Sequence, residues 1–143
     1  MNYMKSLRPF HLAFPVTDLL ITKNWYINIL GCTIGRSSEE WIDFNLFGHQ
    51  IVAHLVGIMP SDLQSNKVDD KSVPPMHFGV ILNPKQWKQL VENLDAKNIE
   101  YIIKPYTRFK GKPGEQHTLF IKDPCGNCLE FKAFENDENI FKK

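Results

Sequence analysis

The sequence FHLAFPV at residues 10–16 has a counterpart of similar pattern, MHFGVIL, at residues 76–82. This pair of stretches decides the fold. Each stretch is a short apolar run of residues that suit a β-strand, and each carries a histidine near its start. Each is also followed by a helical pattern. The same opening therefore occurs twice in one chain, which predicts an internal structural repeat.

Beginning with residues 10–16, the pattern of the first half of the sequence predicts a strand, a helix and three further strands. Thr17 or Asp18 can cap the helix, and Gly31 is placed to end it. The three strands are predicted at residues 32–36, 41–47 and 50–56, with a hairpin turn between the last two. The apolar positions that predict the buried face of the helix are Ile21, Trp25, Ile29 and Leu30.

The second half repeats this order of elements. Asn83 is a good N-cap, Pro84 suits the first helical position, and Asn98 can end the helix in the left-handed region. The apolar stripe of this helix consists of Trp87, Leu90, Val91 and Leu94. Strands are predicted at residues 100–104, 118–122 and 128–134. The polar segment 57–75 between the halves is interpreted as a linker or a mobile loop.

The repeated order predicts an α+β fold built of two βαβββ modules. Such a module leaves one sheet face uncovered, and two modules can join their sheets into one curved mixed sheet around a pocket, with the helices outside. Every second residue of each strand would then line the pocket. We expect a single domain over residues 1–143, as its size suggests. Its parts are module one at 8–57, a linker at 58–75, module two at 76–134 and a tail at 135–143.

Composition excludes several classes of function. The formal net charge of the 143 residues is +1, and no basic run interleaves with aromatic residues, so we expect no nucleic-acid partner. No apolar stretch is long enough to cross a bilayer, and the start of the chain lacks the apolar core of a signal peptide. The odd count of three cysteines indicates reduced thiols in the cytoplasm. Cys125 and Cys128 form a C-x-x-C pair, which suits a zinc or redox site but equally a turn at residues 123–127.

The candidate chemistry lies in His11, His77 and Glu130. A single strand histidine is usually a core or surface group, but these two histidines occupy equivalent places in the two modules. Glu130 lies on the last predicted strand. Two imidazoles and one carboxylate, with other coordination positions open, are the donor set of a non-haem Fe(II) oxygenase. By strand alternation His11 shares a face with Ala13, and His77 with Gly79, so small neighbours are expected to leave room for a ligand.

These residues, in a duplicated βαβββ pattern, resemble the vicinal oxygen chelate superfamily, which includes glyoxalase I, bleomycin-resistance proteins and extradiol dioxygenases. The resemblance covers about residues 8–134, and DPCGNCLE at 123–130 matches its closing signature. WIDFNLFGHQ at 41–50 and PGEQ at 113–116 are similar to a group of small predicted extradiol-type dioxygenases. The resemblance implies Fe(II)- and O2-dependent cleavage of a small catechol-type substrate by a homodimer, with Mn, Zn or Ni as other possible metals.

Two other functions fit the same resemblance. A glyoxalase-type isomerase or lyase uses a fourth protein ligand, and on strand 50–55 only His54 is available for this role. A metal-free binding protein of the resistance type would bind its ligand in a dimer groove, to which Trp41 and Phe44 could contribute. The chain also departs from the larger extradiol enzymes, because the strand at 118–121 lacks their tyrosine and Tyr106 lies on a different stretch.

Two side chains are candidates for catalysis beside the metal ligands. His54 suits removal of a phenol proton near neutral pH, because an unperturbed imidazole titrates there. The alternative is a buried histidine held by a hydrogen bond. Arg108 could bind a substrate carboxylate through two parallel hydrogen bonds. The alternative is an exposed cation at a strand end.

Four further polar residues have lesser predicted roles. Glu115 and Gln116 are expected to orient a metal ligand through hydrogen bonds. His117 is a second acid–base candidate, but it borders a glycine-rich loop and is expected to be exposed. His49 lies at the predicted hairpin turn, where a structural role is expected.

Overall fold

The computed structural model describes residues 7–143; residues 1–6 of the predicted single domain lie outside the described residues. The chain divides into two compact units, one ending at Met59 and the other beginning at Pro60. They are called unit 1 and unit 2, and each is described by itself.

Unit 1 is a four-stranded mixed sheet with one helix packed against it. Its elements, in chain order, are β1 (His11–Val16), α1 (Leu19–Asn28), β2 (Thr33–Ser37), β3 (Trp41–Leu46) and β4 (His49–Leu55). The strand order in the sheet is β1-β4-β3-β2, and only the β1–β4 pair is parallel. Phe47 and Gly48 have positive φ angles of 50° and 90°, which produces the predicted hairpin turn.

Helix α1 turns a different face to the sheet than the apolar pattern predicts. Thr22 and Tyr26 are its fully buried residues, whereas Ile21 is 51% exposed. The buried positions are also four residues apart, and the Thr22 hydroxyl is satisfied because it donates to the Asp18 carbonyl at 2.6 Å. The Tyr26 ring stacks on Phe44 with ring centroids 5.1 Å apart. The predicted stripe was therefore wrong at Ile21, whereas Leu30, just after the helix, is buried and Trp25 and Ile29 are half-buried.

Unit 2 contains a second sheet of the same kind. Its elements after residue 75 are β7 (Ile81–Leu82), α2 (Pro84–Ala96), β8 (Tyr101–Arg108), β9 (Gln116–Lys122), β10 (Cys128–Phe134) and a short 3-10 helix (Asp137–Asn139). The strand order is β7-β10-β9-β8, with β7 parallel to β10. Asn83 and Gln86 form a reciprocal capping box at the start of α2, and Asn98 takes a φ of 53° after its end, as predicted.

The segment predicted as a linker or mobile loop contains a β-hairpin. Its strands are β5 (Asn66–Val68) and β6 (Lys71–Val73), and they pair with each other in an antiparallel ladder. The turn residues Asp69 and Asp70 both have positive φ, 49° and 59°, which is the geometry of a two-residue hairpin turn. The polar composition of the segment concealed this structure.

The predicted α+β class and the two βαβββ modules are confirmed, since each sheet follows the order strand, helix and three strands. In the part of the chain that the structure describes, no helix is both long and apolar enough to span a membrane.

Candidate metal centre

The backbone of unit 2 brings the His77 segment directly against strand β10. Phe78 forms an isolated parallel bridge with Leu129, and the Glu130 N–H donates to the Phe78 carbonyl at 2.8 Å. A Cβ atom on Gly79 would lie only 1.6 Å from the Glu130 carbonyl oxygen. The expectation that Gly79 leaves room for a ligand was therefore wrong, because its missing side chain lets the two backbones meet.

His77 and Glu130 form an ion pair on this framework. The His77 Nε2 and Glu130 Oε2 atoms are 3.0 Å apart, and the His77 Nδ1–H donates to the Pro74 carbonyl at 2.6 Å. Both neighbours of the ring are hydrogen-bond acceptors, an arrangement that favours the protonated ring. The hydrogen bond to Glu130 accordingly raises the pKa of His77, with a further contribution from the Pro74 carbonyl, against the effect of burial.

The Glu130 carboxylate is held in one orientation. Its side chain is only 11% exposed, and its Oε1 atom accepts a hydrogen bond from the Thr118 hydroxyl at 2.7 Å. The Lys132 ammonium lies 3.5 Å from the same oxygen. Burial alone raises the pKa of Glu130, but the hydrogen bonds from His77 and Thr118 outweigh it, and the pKa falls below its usual value. Oε1 is thus committed to Thr118 while Oε2 faces the imidazole.

The pair has the spacing of two metal ligands. Imidazole nitrogens and carboxylate oxygens bind first-row divalent ions at about 2.1 Å, so two such ligands at a right angle are about 3.0 Å apart. The observed separation of Nε2 and Oε2 is 3.0 Å. The same separation is that of an ordinary charge-assisted hydrogen bond, so it is the donor types, an imidazole nitrogen and a carboxylate oxygen, that fit a divalent ion.

His11 in unit 1 is oriented through a comparable contact. Its Nδ1–H donates to the Gln50 side-chain carbonyl at 2.9 Å, and the Gln50 amide group donates to Asp43 at 3.3 Å. Gln50 lies directly opposite His11 in the parallel β1–β4 register. Because the acceptor fixes the proton on Nδ1, Nε2 carries the ring's lone pair, as the predicted ligand role of His11 requires.

His54 lies on the same strand face as Gln50 but farther along β4. In the register it is opposite Pro15 and Trp41, and its residue is exposed. Four residues of strand correspond to about 13 Å, so His54 is far from the level of His11. This position argues against His54 as a fourth ligand beside His11, and its acid–base role stays a prediction.

Arg108 is paired with a carboxylate of the chain itself in the structure. Its Nε–H donates to the Asp69 carboxylate at 2.5 Å, and the Tyr106 hydroxyl donates to the same oxygen at 3.1 Å. The alternative prediction of an exposed cation was wrong, because the Arg108 side chain is only 20% exposed, and its role in binding a substrate carboxylate stays a prediction. Sequence reasoning missed Asp69, although an Asp-Asp turn between strand-compatible residues could have indicated the hairpin.

The other polar residues hold local structure. The His49 ring accepts a hydrogen bond from the Phe10 N–H at 2.9 Å, which supports its predicted structural role. Glu115 accepts from the Gly111 N–H at 2.7 Å and so closes its own loop, rather than contacting a metal ligand. His117 is half-buried, not exposed, and its Nε2 lies 2.7 Å from Glu135.

The C-x-x-C pair belongs to a turn. Asp123 accepts hydrogen bonds from the N–H groups of Cys125 and Asn127, at 2.9 and 2.8 Å, and Gly126 has a φ of 95°. Neither cysteine forms a disulfide bond within the described residues, and burial raises the pKa of Cys128 to about 11. These contacts support the interpretation of residues 123–127 as the turn that leads into β10.

The structure brings two of the three predicted ligands together. His77 and Glu130 form a pair in unit 2, whereas His11 belongs to unit 1, and the two units are described separately. Among residues 7–143, no three His, Cys, Asp or Glu side chains form a group that could hold a metal ion. The three-ligand site therefore stays a prediction.

Comparison with known proteins gives matches only among solved structures; no family model and no curated protein matches the chain. The structure of a glyoxalase/bleomycin resistance protein/dioxygenase from Alicyclobacillus acidocaldarius is 33% identical in sequence, with a TM-score of 0.76. The match covers 93% of this chain and 96% of that one.

Two other solved structures share the fold at lower identity. Lactoylglutathione lyase from Agrobacterium tumefaciens is 14% identical with a TM-score of 0.66, and the match covers 91% of this chain and 96% of that one. The fosfomycin resistance protein FosX from Listeria monocytogenes, in complex with Mn(II) and sulfate, is 19% identical with a TM-score of 0.62. That match covers 90% of each chain.

Proposed function

The chain belongs to the glyoxalase/bleomycin resistance/dioxygenase family of the vicinal oxygen chelate superfamily, and from this premise we propose that it is a metal-dependent enzyme for a small substrate. The proposed ligands of a divalent ion are His11, His77 and Glu130. The observation that carries the proposal is the 3.0 Å pairing of His77 Nε2 with Glu130 Oε2, whose other atoms are already held by neighbours.

The chain's own residues prepare the donor atoms. Pro74 and Gln50 accept the Nδ1 protons of His77 and His11, so both rings offer Nε2. Thr118 holds one oxygen of the carboxylate, which leaves the other for the ion. A divalent ion bound there would supply Lewis-acid chemistry, polarising substrate oxygens and lowering the pKa of a bound hydroxyl group.

The reaction class that we propose is extradiol-type, with Fe(II), O2 and a catechol-type substrate. Three protein ligands leave open positions, as this chemistry requires. In support, Gln50 lies opposite His11 and uses its side-chain oxygen to accept from Nδ1, and strand β4 carries no carboxylate that could be a fourth ligand. We further propose that the protein acts in the cytoplasm as a homodimer and that residues 1–143 form one domain.

A glyoxalase-type isomerase or lyase is the second candidate. FosX in complex with Mn(II) and lactoylglutathione lyase share the fold of this chain, which supports a divalent ion other than iron. A version of this candidate with His54 as a ligand is disfavoured by the position of that residue along β4. A metal-free binding protein of the resistance type is the third possibility, and it predicts no metal affinity.

Anaerobic Fe(II) titration tests the site. We expect the wild type to bind one ion per chain. His77→Ala should bind Fe(II) at least about 100-fold more weakly, because the loss of a residue that only supports a metal ligand already costs about 10–100-fold. His117→Ala is the matched control, because His117 pairs with Glu135 and is not a proposed ligand. Equal affinity in the wild type and His77→Ala would refute the site.

Oxygen uptake then tests the reaction. The iron-loaded wild type is incubated with a panel of catechols, and His77→Ala serves as the negative control. Metal binding without uptake would refute the dioxygenase while leaving the site intact. Turnover that depends on Mn(II), Ni(II) or Zn(II) and consumes no O2 would favour the isomerase or lyase.

A further inference from the structure

The hairpin at residues 66–73 is fastened to strand β8 through a single carboxylate. Asp69, at the tip of the hairpin, accepts hydrogen bonds on one oxygen from both Arg108 Nε and the Tyr106 hydroxyl, at 2.5 and 3.1 Å. The Lys71 ammonium lies over the Tyr106 ring, 4.6 Å from its centroid. One carboxylate therefore lies among two cations and a phenol.

This cluster lies on the sheet face that also carries Glu130. Tyr106 is directly opposite Thr118 in the β8–β9 register, and the Thr118 hydroxyl donates to Glu130. Directly opposite residues share a face, and two strand spacings separate β8 from β10, about 10 Å in total. A small molecule that reaches the Glu130 carboxylate can therefore also reach the Tyr106 and Arg108 side chains.

Among the described residues, a buried acceptor without a hydrogen-bond partner lies on the strand position opposite Arg108. Gln116, 8% exposed, is directly opposite Arg108 in the register. Its amide group donates weakly to the Gly114 carbonyl at 3.4 Å, but in the described chain its side-chain oxygen has no hydrogen-bond partner. An unpaired buried acceptor is unfavourable, and a ligand hydroxyl or N–H group would satisfy it.

We propose that Arg108, Tyr106 and Gln116 form a substrate-selecting subsite for a carboxylate, and that Asp69 occupies it in the structure as an internal surrogate. The substrate class is then a small acid that also carries a hydrogen-bond donor for Gln116. That the bound carboxylate belongs to the substrate rests on the proposed function. The presence of a carboxylate binding site rests only on the contacts of unit 2.

The surrogate can exchange with a ligand. The Asp69 side chain is 41% exposed, so solvent reaches it, and the hydrogen bond to Arg108 holds the pKa of Asp69 below its usual value. It therefore competes as an anion at neutral pH. A ligand can bind this site only in molecules in which Asp69 is displaced. Its apparent affinity is therefore the intrinsic affinity multiplied by the fraction of such molecules. Removal of the charge at position 69 should raise the affinity for an external carboxylate.

Benzoate titration by calorimetry tests this inference on the full-length protein. Metal is stripped on a chelating resin, because a carboxylate chelator in solution would compete for the site. Asp69→Asn removes the charge, and asparagine tolerates the φ of 49° at this position. Asp70→Asn, in the same turn and also at positive φ, is the matched control.

We expect Asp69→Asn to bind benzoate about tenfold more tightly than the wild type, which corresponds to about 1.4 kcal/mol. Asp70→Asn should match the wild type, and Arg108→Gln in the Asp69→Asn background should abolish the gain. Benzamide, the neutral analogue of benzoate, should bind every variant equally weakly. Equal benzoate affinity in Asp69→Asn and Asp70→Asn would overturn the inference, as would a gain that survives Arg108→Gln.

The same samples separate this inference from the proposed function. The benzoate titration is repeated with one equivalent of Zn(II), and the gain in Asp69→Asn is expected in both states. Metal affinity itself should not change in Asp69→Asn, because Asp69 is not a proposed ligand. Loss of the benzoate effect with intact metal binding refutes only the subsite. Loss of the metal site with an intact benzoate effect refutes only the metal-dependent function.

Discussion

Substitution of Gly79 by alanine tests how the His77–Glu130 pair is assembled. The new Cβ atom would lie 1.6 Å from the Glu130 carbonyl oxygen, whereas real Cβ contacts essentially never fall below 3.0 Å. The two backbones must therefore separate by about 1.4 Å or more, which is enough to break the 2.8 Å hydrogen bond from Glu130 N–H to the Phe78 carbonyl. A second bond, from Phe78 N–H to the Cys128 carbonyl at 3.2 Å, is at similar risk.

The expected cost follows from these two effects. A lost backbone hydrogen bond costs about 1 kcal/mol, and overpacking costs about 1–3 kcal/mol. We therefore expect Gly79→Ala to lower the free energy of unfolding by about 2–4 kcal/mol. The Nε2–Oε2 separation, now 3.0 Å, would also widen, and we expect metal affinity to fall by at least about tenfold.

Urea unfolding and metal titration measure the two effects. Gly57→Ala is the control, because a Cβ on Gly57 meets nothing within 4 Å and its φ is not in the left-handed region. It should change the free energy of unfolding by less than about 0.5 kcal/mol, as ordinary surface substitutions do. Equal stability and equal metal affinity for Gly79→Ala and Gly57→Ala would refute the argument that close backbone contact creates the pair.

Three further predictions concern the neighbouring contacts. Gln50→Ala removes the acceptor of the His11 Nδ1 proton and should weaken metal binding by about 10–100-fold in a titration; unchanged affinity would exclude an orienting role. In metal-stripped protein the His77 pKa is raised above 6.5 and the Glu130 pKa is lowered below 4.5. The pair therefore stabilises the fold fully between about pH 4.5 and 6.5, and the contribution disappears as pH rises through the pKa of His77 or falls through that of Glu130. Urea unfolding across pH, compared with His77→Gln, checks this, and parallel curves would contradict it. Asp123→Ala leaves two turn N–H groups without their acceptor and should cost about 2–4 kcal/mol of unfolding free energy; a loss below 1 kcal/mol would show that the turn does not need the carboxylate.

Local signals in the sequence predicted most of the fold. The order of elements, the Asn83 cap, the left-handed Asn98 and the turn at residues 123–127 all depend on residues close together in the chain. These local structures form in the same way whichever distant residues pack against them. The rotation of helix α1 was not predictable in this way, because Tyr26 is buried through a contact with Phe44 on a separate strand.

The candidate site was only partly predictable for the same reason. The repeat of His11 and His77 indicated ligands, but their orienting acceptors, Gln50 and Pro74, follow from register and loop geometry. Tyr106 was set aside because the strand before β10 lacks a tyrosine. In the structure it is opposite Thr118 and so faces the same side of the sheet as Glu130. This cross-strand position depends on the β8–β9 register, which the sequence pattern alone does not give.

The contacts of the two histidines bear on why they are present at all. A buried ion pair is weak support for stability, because its desolvation offsets its attraction and apolar residues often serve as well. The pH-dependent stabilisation that the His77–Glu130 pair contributes is therefore offset by the desolvation of a carboxylate that is only 11% exposed. In each unit the histidine also gives its Nδ1 proton to a carbonyl oxygen, from a side chain for His11 and from the backbone for His77. Two different acceptors thus hold the Nδ1 side of both rings, which supports the proposed ligand role of Nε2 over a binding protein without metal.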